Sequence, residues 1–108
     1  MSTDPTTVVP PTFQMSKAEA QEISIDLTPC LQPGDTVTAM TAVLTSIDDQ
    51  SIVALTNPPE LHGSVVWQIF DGDADHIVAG NAYRYRVLFT ASFAGNRFAR
   101  DLIVQVSE

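Results

Sequence analysis

Residues 80–106, GNAYRYRVLFTASFAGNRFARDLIVQV, decide the fold of this chain. Apolar and polar side chains alternate on both sides of Gly95-Asn96, as they do in half-buried β-strands. The Gly95-Asn96 pair suits a two-residue hairpin turn, which needs a positive φ. With this pair at the tip, the predicted inner face pairs Phe89 with Leu102, Val87 with Val104, and Tyr85 with Val106. The predicted outer face pairs Thr90 with Asp101, Leu88 with Ile103, and Arg86 with Gln105, so only the inner face is uniformly apolar.

Shorter alternating segments precede this hairpin, and proline, glycine or acidic residues separate them. One strand is marked by Ile23, Ile25 and Leu27, a long one covers residues 36–47, and another covers residues 64–70. About seven short strands with no convincing helix predict an all-β, antiparallel sandwich of the immunoglobulin-like type.

The predicted core is centred on Trp67, which shares one strand face with Val65 and Ile69. Tyr83, near the start of the penultimate strand, would fold back onto the preceding loop, as a tyrosine does in immunoglobulin-like domains. The other residues predicted to build the core and its turns are Tyr85, Val87, Phe89 and Gly95.

Residues 1–16 are rich in threonine and proline, unlike the rest of the chain. Proline disfavours both a helix and a regular strand ladder, so this segment is predicted to be an extended arm outside the sandwich of residues 17–108. Such an arm could add a strand to an exposed sheet edge of a neighbouring subunit. Its candidate docking residues are the apolar side chains Val8, Val9 and Phe13.

The chain has 108 residues and a net charge of −8, from thirteen acids and five bases. This balance argues against a nucleic-acid surface and against binding to anionic membranes. Two interpretations are open for the bases near the C-terminus. They could pair with acids of the domain itself, such as Asp101, or dock onto a complementary acidic surface. These candidate docking residues are Arg84, Arg86, Arg97 and Arg100.

No constellation in the sequence is typical of a catalytic or metal site. Asp71, Asp73 and Asp75 have the spacing of the first ligands of a calcium loop, but His76 and Ala82 stand where its glycine and closing glutamate would be. The two histidines lack partners at zinc-ligand spacing, and every glycine stands alone in its own turn. We therefore expect no enzyme activity, no cofactor and no metal.

Two groups of residues, spread over residues 17–108, form a recognisable pattern. The first group consists of four residues before a Leu-x-x-Gly-Asp-Thr-Val turn and five within it: Lys17, Glu22, Ile25, Asp26, Leu31, Gly34, Asp35, Thr36 and Val37. The second begins with Gly-x-x-Tyr and continues into the closing hairpin: Gly80, Tyr83, Val87, Thr90, Gly95, Arg97 and Val106. In this pattern the chain resembles a family of small tailed-bacteriophage proteins described as fibre–tail adaptors. It departs from them at Leu27, where a tryptophan is usual, and at Asp71-Gly72-Asp73, which replaces a Gly-Gly corner.

The resemblance implies a non-enzymatic virion structural protein with an immunoglobulin-like fold, made in the host bacterial cytoplasm. It would dock onto other phage tail, fibre or capsid subunits at the tail–fibre (baseplate) junction, in multiple symmetric copies. A capsid decoration (cement) protein on the phage head is the alternative, since a small acidic sandwich with an arm suits that role equally well. A carbohydrate-binding host-adhesion module would need exposed aromatic side chains. The predicted burial of Trp67 and both tyrosines disfavours that role.

Overall fold

The computed structural model describes residues 11–108, which form a β-sandwich of two sheets. Its strands are β1 (Thr12–Ser16), β2 (Ala20–Asp26), β3 (Val37–Ser46), β4 (Ile52–Val53), β5 (Glu60–His62), β6 (Val65–Asp71), β7 (Ala82–Ala91) and β8 (Arg97–Ser107). Within the described residues, one 3₁₀ turn at Thr28–Cys30 is the only helical element. None of them forms a helix of the length and hydropathy needed to cross a bilayer. The all-β sandwich prediction is confirmed.

The larger sheet has the strand order β1-β8-β7-β3-β4, and the smaller sheet has the order β2-β6-β5. Neighbouring strands are antiparallel, except that β1 runs parallel to β8. The core lies between the sheets because alternate side chains of each strand point inward. Its most deeply buried side chains are Leu27, Leu44, Val66, Gln68, Phe70, Ile77, Tyr85, Val87 and Val104.

The terminal hairpin has the predicted faces but not the predicted register. All six residues of the predicted inner stripe are buried. Tyr85, however, pairs with Leu102 rather than with Val106, and Phe89 pairs with Phe98. The shift is four positions along β8, an even number, so each side chain keeps its predicted face.

The shift arises because a five-residue turn, residues 92–96, replaces the predicted two-residue turn at Gly95-Asn96. The carboxylate of Asp35 accepts hydrogen bonds from the Ser92 hydroxyl at 2.6 Å and from the Phe93 amide at 2.9 Å. The hydrogen bond from Ser92 lowers the pKa of Asp35. The chain then reverses at Ala94 and Gly95, which both have a positive φ.

Residues 12–16 belong to the sandwich, which corrects the predicted boundary between arm and domain at residue 17. Strand β1 pairs with the end of β8, from Thr12 opposite Ile103 onward. Met15 is buried, and the Phe13 ring packs against the core with its centroid 6.5 Å from that of Phe70. Phe13 is therefore a packing residue of the domain rather than a docking residue. A strand at a sheet edge can begin directly after proline, because the missing N–H breaks no ladder there.

The other two predicted arm residues, Val8 and Val9, lie outside the described residues. Strand β1 pairs with β8 in the chain's own larger sheet. Addition of a strand to a neighbouring subunit stays a prediction. An arm that reaches another subunit can therefore comprise only residues that precede β1.

Trp67 lies on the outer face of the smaller sheet, which corrects its predicted place at the centre of the core. Its side chain is 39% exposed, and Ile69 is 36% exposed. The residues of β6 that point inward are Val66, Gln68 and Phe70. Both faces of this strand carry large apolar side chains, so a period of two could not by itself identify the buried face. The polar Gln68 on the inner face favoured the wrong one.

Gln68 is tolerated in the core because its polar atoms have partners. Its amide nitrogen donates to the carbonyl oxygens of Asn57, at 2.8 Å, and Ile69, at 2.9 Å. Its Oε1 accepts a hydrogen bond of 2.7 Å from the Tyr85 hydroxyl in the opposite sheet. Burial raises the pKa of Tyr85, which keeps the phenol protonated as the donor.

The predicted fold-back of Tyr83 is confirmed. Its hydroxyl accepts a hydrogen bond of 2.8 Å from the Val78 amide in the preceding loop. Gly80, with a φ of +89°, redirects the chain from this loop toward the start of β7, and its amide donates to the Val106 carbonyl. The loop thereby carries the buried Ile77 over one end of the core.

Candidate functional site

The outer face of the larger sheet holds three of the seven predicted docking residues, Arg84, Arg86 and Arg97. Because β7 buries every second side chain, the intervening residues of β7 and their partners on β3, β4 and β8 point outward. We call this surface the arginine face. Its principal residues are Thr41, Val43, Thr45, Ile52, Arg84, Arg86, Leu88, Arg97, Ala99, Asp101 and Ile103.

An ion pair occupies the middle of the arginine face. Arg86 donates from Nε and Nη2 to the two carboxylate oxygens of Asp101, at 2.8 and 2.9 Å. Arg84 lies at the margin of this pair, with Nε 3.9 Å from Asp101 Oδ2. The hydrogen bond from Arg86 lowers the pKa of Asp101, and Asp101 in turn raises the pKa of Arg86. Pairing within the domain, one of the two interpretations of these arginines, is therefore confirmed for Arg86.

Exposed aliphatic side chains flank the ion pair. Leu88 is 49% exposed and Ile52 is 75% exposed, and Val43 lies opposite Arg86 on β3. Between β3 and β7 the surface forms a shallow hollow of about 290 Å³. Aliphatic residues around a fixed arginine suit a protein interface, where arginine is enriched and charges at the centre need partners.

The four arginines that were predicted as docking residues do not all lie on the arginine face. Arg97 lies opposite Thr90 on the arginine face, but Arg100 lies opposite the buried Val87 and so belongs to the inner side of β8. It is exposed there, and its Nη1 donates to the Ala99 carbonyl at 3.3 Å.

The acidic loop after β6 uses its carboxylates to build the turn. Asp75 is buried, and its two oxygens accept hydrogen bonds from the amides of Thr56, at 2.7 Å, and Asp71, at 2.9 Å. Asp71 accepts from the amides of Asp73 and Ala74. Across residues 11–108, no group of three or more His, Cys, Asp or Glu side chains is arranged to hold a metal ion.

A second exposed surface, the outer face of the smaller sheet, was missed by the sequence reasoning. Trp67 lies at its centre, between Ser24 of β2 and Glu60 of β5. We call this surface the tryptophan face. One signal could have revealed it: Glu22, Ser24 and Asp26 alternate with the apolar side chains of β2, so their partners on β6 also point outward.

The comparisons with family models, curated proteins and solved structures do not extend this picture. No family model matches the chain, and no curated protein or solved structure matches it. The geometry of the two outer faces is therefore the basis for a functional proposal.

Proposed function

We propose that this protein is a non-enzymatic docking module of a tailed-phage virion, acting as an adaptor at the tail–fibre junction. The observation that carries the proposal is the arginine face, where exposed aliphatic side chains surround an ion pair joined by two hydrogen bonds. The virion setting is supported by the sequence resemblance described above.

The strand order supports the immunoglobulin-like part of the proposal. In immunoglobulin domains one sheet contains strands A, B, E and D and the other contains C, F and G. Here β2-β6-β5 takes the B-E-D order and β8-β7-β3 takes the G-F-C order, with β4 in the place of C′. The hydrogen bond between Tyr83 and the Val78 amide supplies a further feature of such domains, a tyrosine at the start of strand F that bonds back to the upstream backbone.

The charge of the arginine face indicates the kind of partner it would bind. Arg84, Arg86 and Arg97 outnumber Asp101, so the outward residues of β3, β7 and β8 have a formal charge of +2 on a chain of net charge −8. An acidic partner surface is therefore complementary to this face and is repelled by most of the remaining surface. A partner that covers Leu88, Val43 and Ile52 would gain roughly 1 kcal/mol of binding free energy from each, because these side chains are only partly exposed.

A pair of matched variants tests the proposal. Arg84→Glu reverses a charge on the arginine face, whereas Arg100→Glu makes the same change on the inner side of β8. We expect Arg84→Glu to reduce incorporation into phage particles about tenfold and Arg100→Glu to leave it unchanged, with both circular dichroism spectra intact. Equal incorporation of the two variants would contradict docking through this face.

The number of copies per particle tests the virion location separately. An adaptor at the tail–fibre junction should occur as a ring of a few copies, which quantitative mass spectrometry of purified particles would reveal. A capsid decoration protein should instead be present in hundreds of copies. A copy number in the hundreds would therefore contradict the tail–fibre location and indicate a location on the phage head.

A further inference from the structure

We infer that the tryptophan face is a second binding surface, and that it takes a basic segment of a partner protein. This goes beyond the docking proposed for the arginine face, which lies on the opposite side of the sandwich. The inference rests on an exposed indole, on the carboxylates around it, and on the absence of lysine and arginine from the strands that build the surface.

The register of the smaller sheet places three carboxylates around Trp67. Glu60 is its direct partner on β5, and Ser24 is its direct partner on β2. Glu22 and Asp26 stand two positions to either side of Ser24 and point the same way. Direct cross-strand partners are about 5 Å apart and diagonal ones about 7–8 Å, so all three carboxylates can reach a cation placed at the indole.

These carboxylates have no lysine or arginine partner within the strands that build their surface. The sequences of β2, β5 and β6 contain neither lysine nor arginine. Hydrogen bonding by Thr28 lowers the pKa of Asp26, which favours its charged form. The surface therefore presents a formal charge of −3 around one aromatic ring.

His62 orients the indole from one side. The two ring centroids are 5.6 Å apart with an interplanar angle of 70°, and His62 Nε2 lies 3.9 Å from Glu60. The ring is thus held edge-to-face while its side chain stays 39% exposed. Ile69 adds an exposed aliphatic neighbour along β6, against which the methylene groups of a long side chain can pack.

An arginine or lysine side chain matches this combination. A guanidinium or ammonium group is attracted to the face of an indole, and tryptophan is the best aromatic for this contact. The surrounding carboxylates would pair with the same cation and with its neighbours in a basic segment. A neutral sugar would use the ring but not the three negative charges, so the charge favours the basic segment.

The chain provides its own reporter, because Trp67 is its only tryptophan. Fluorescence titration of the full-length protein with a short oligo-arginine peptide should change the emission saturably. An oligo-glutamate peptide and a neutral maltooligosaccharide should leave it unchanged. Because the contact is electrostatic, raising the salt concentration should weaken binding.

Matched variants identify the surface. Glu60→Gln should weaken oligo-arginine binding about threefold, in line with an exposed ion pair, whereas Asp48→Asn, in the turn between β3 and β4, should not. Trp67→Leu should weaken binding about two- to fivefold by calorimetry, and Trp67→Phe should weaken it less. Circular dichroism would check that each variant keeps the fold.

Three results would overturn the inference. The first is an equal weakening of oligo-arginine binding by Glu60→Gln and Asp48→Asn, which would show that binding depends only on the net charge of the chain. The second is an emission change with the maltooligosaccharide but not with oligo-arginine, which would make the surface a sugar site. The third is concentration-dependent self-association that Trp67→Leu abolishes, which would make a second copy of this chain the occupant.

Discussion

A side-chain hydrogen bond joins the two sheets at the centre of the core, and its removal should have a measurable cost. The Tyr85 hydroxyl donates to Gln68 Oε1 at 2.7 Å, and both residues are almost completely buried. Tyr85→Phe removes the donor but keeps the ring, which packs edge-to-face on Phe70 with centroids 5.1 Å apart. The change therefore isolates the hydrogen bond from the packing.

The magnitude follows from the acceptor that is left behind. A buried polar atom without a partner costs about 1–3 kcal/mol. For a domain of this size, that loss lowers the melting temperature by roughly 5–20 °C. Gln68→Met should cost more, because it also leaves the carbonyl oxygens of Asn57 and Ile69 without their donor. In the double variant both ends of the bond become apolar, so the total loss should fall short of the sum by about 1–2 kcal/mol.

Urea unfolding followed by circular dichroism would measure all four members of this cycle. Tyr83→Phe is the matched control, since its hydroxyl bonds to the amide of the exposed Val78, which water can reach in its place. We expect it to be less destabilising than Tyr85→Phe. A loss below about 0.5 kcal/mol for Tyr85→Phe, or strict additivity in the double variant, would refute the reasoning.

Three further predictions concern the N-terminal strand, the exposed tryptophan and the acid range. Deleting residues 1–16 should cost about 2–5 kcal/mol more than deleting residues 1–10, because only the longer deletion removes the buried side chain of β1. Equal melting curves for the two deletions would contradict the place of β1 in the sheet. Trp67→Ala should cost roughly 1–3 kcal/mol, because Trp67 is 39% exposed, and the almost fully buried Phe70→Ala about 3–5 kcal/mol in the same urea assay. The reverse order would return the tryptophan to the core. The hydrogen bond from Arg86 lowers the pKa of Asp101 in the folded state. The ion pair therefore contributes its full stability above about pH 4, the ordinary pKa of an aspartate, and this stability is lost as the pH falls through the folded-state pKa. Asp101→Asn should therefore flatten the loss of stability between pH 5 and pH 2, and an unchanged profile would exclude this contribution.

The faces of the terminal hairpin could be predicted from the sequence, whereas its register could not. Strict alternation in β7 and β8 fixes which side chains are buried, whatever the turn. The turn itself depends on Asp35, which lies 58 residues before Phe93 in the chain. No local pattern contains that information, so Gly95-Asn96 was a misleading signal for the tip.

The candidate site depends on the same register. In the predicted hairpin Arg86 faced Gln105, and Asp101 faced Thr90. The four-position shift brings Asp101 opposite Arg86 instead and so creates the ion pair at the centre of the arginine face. The charges indicated that an arginine could pair with Asp101, but the choice of Arg86 could not be predicted without knowing the turn.

The two larger errors also have non-local causes. Strand β1 is held by pairing with β8, about 90 residues away along the chain, and its short TFQMS sequence follows two prolines. In β6 the choice between the two apolar faces was decided by partners of Gln68 on other segments. Sequence periodicity identifies a strand well, but it cannot decide which side is buried when both sides are apolar.

The parallel pairing of β1 with β8 has a mechanical consequence. Five residues of β1 are in register with the last part of β8, and the two strands run in the same direction. A pulling force between the start of β1 and the end of β8 acts on the strands in opposite directions along their lengths. The hydrogen bonds of this ladder then share the load in shear and must break together, instead of opening one after another. A domain tethered by these two ends would resist extension most strongly at this seam.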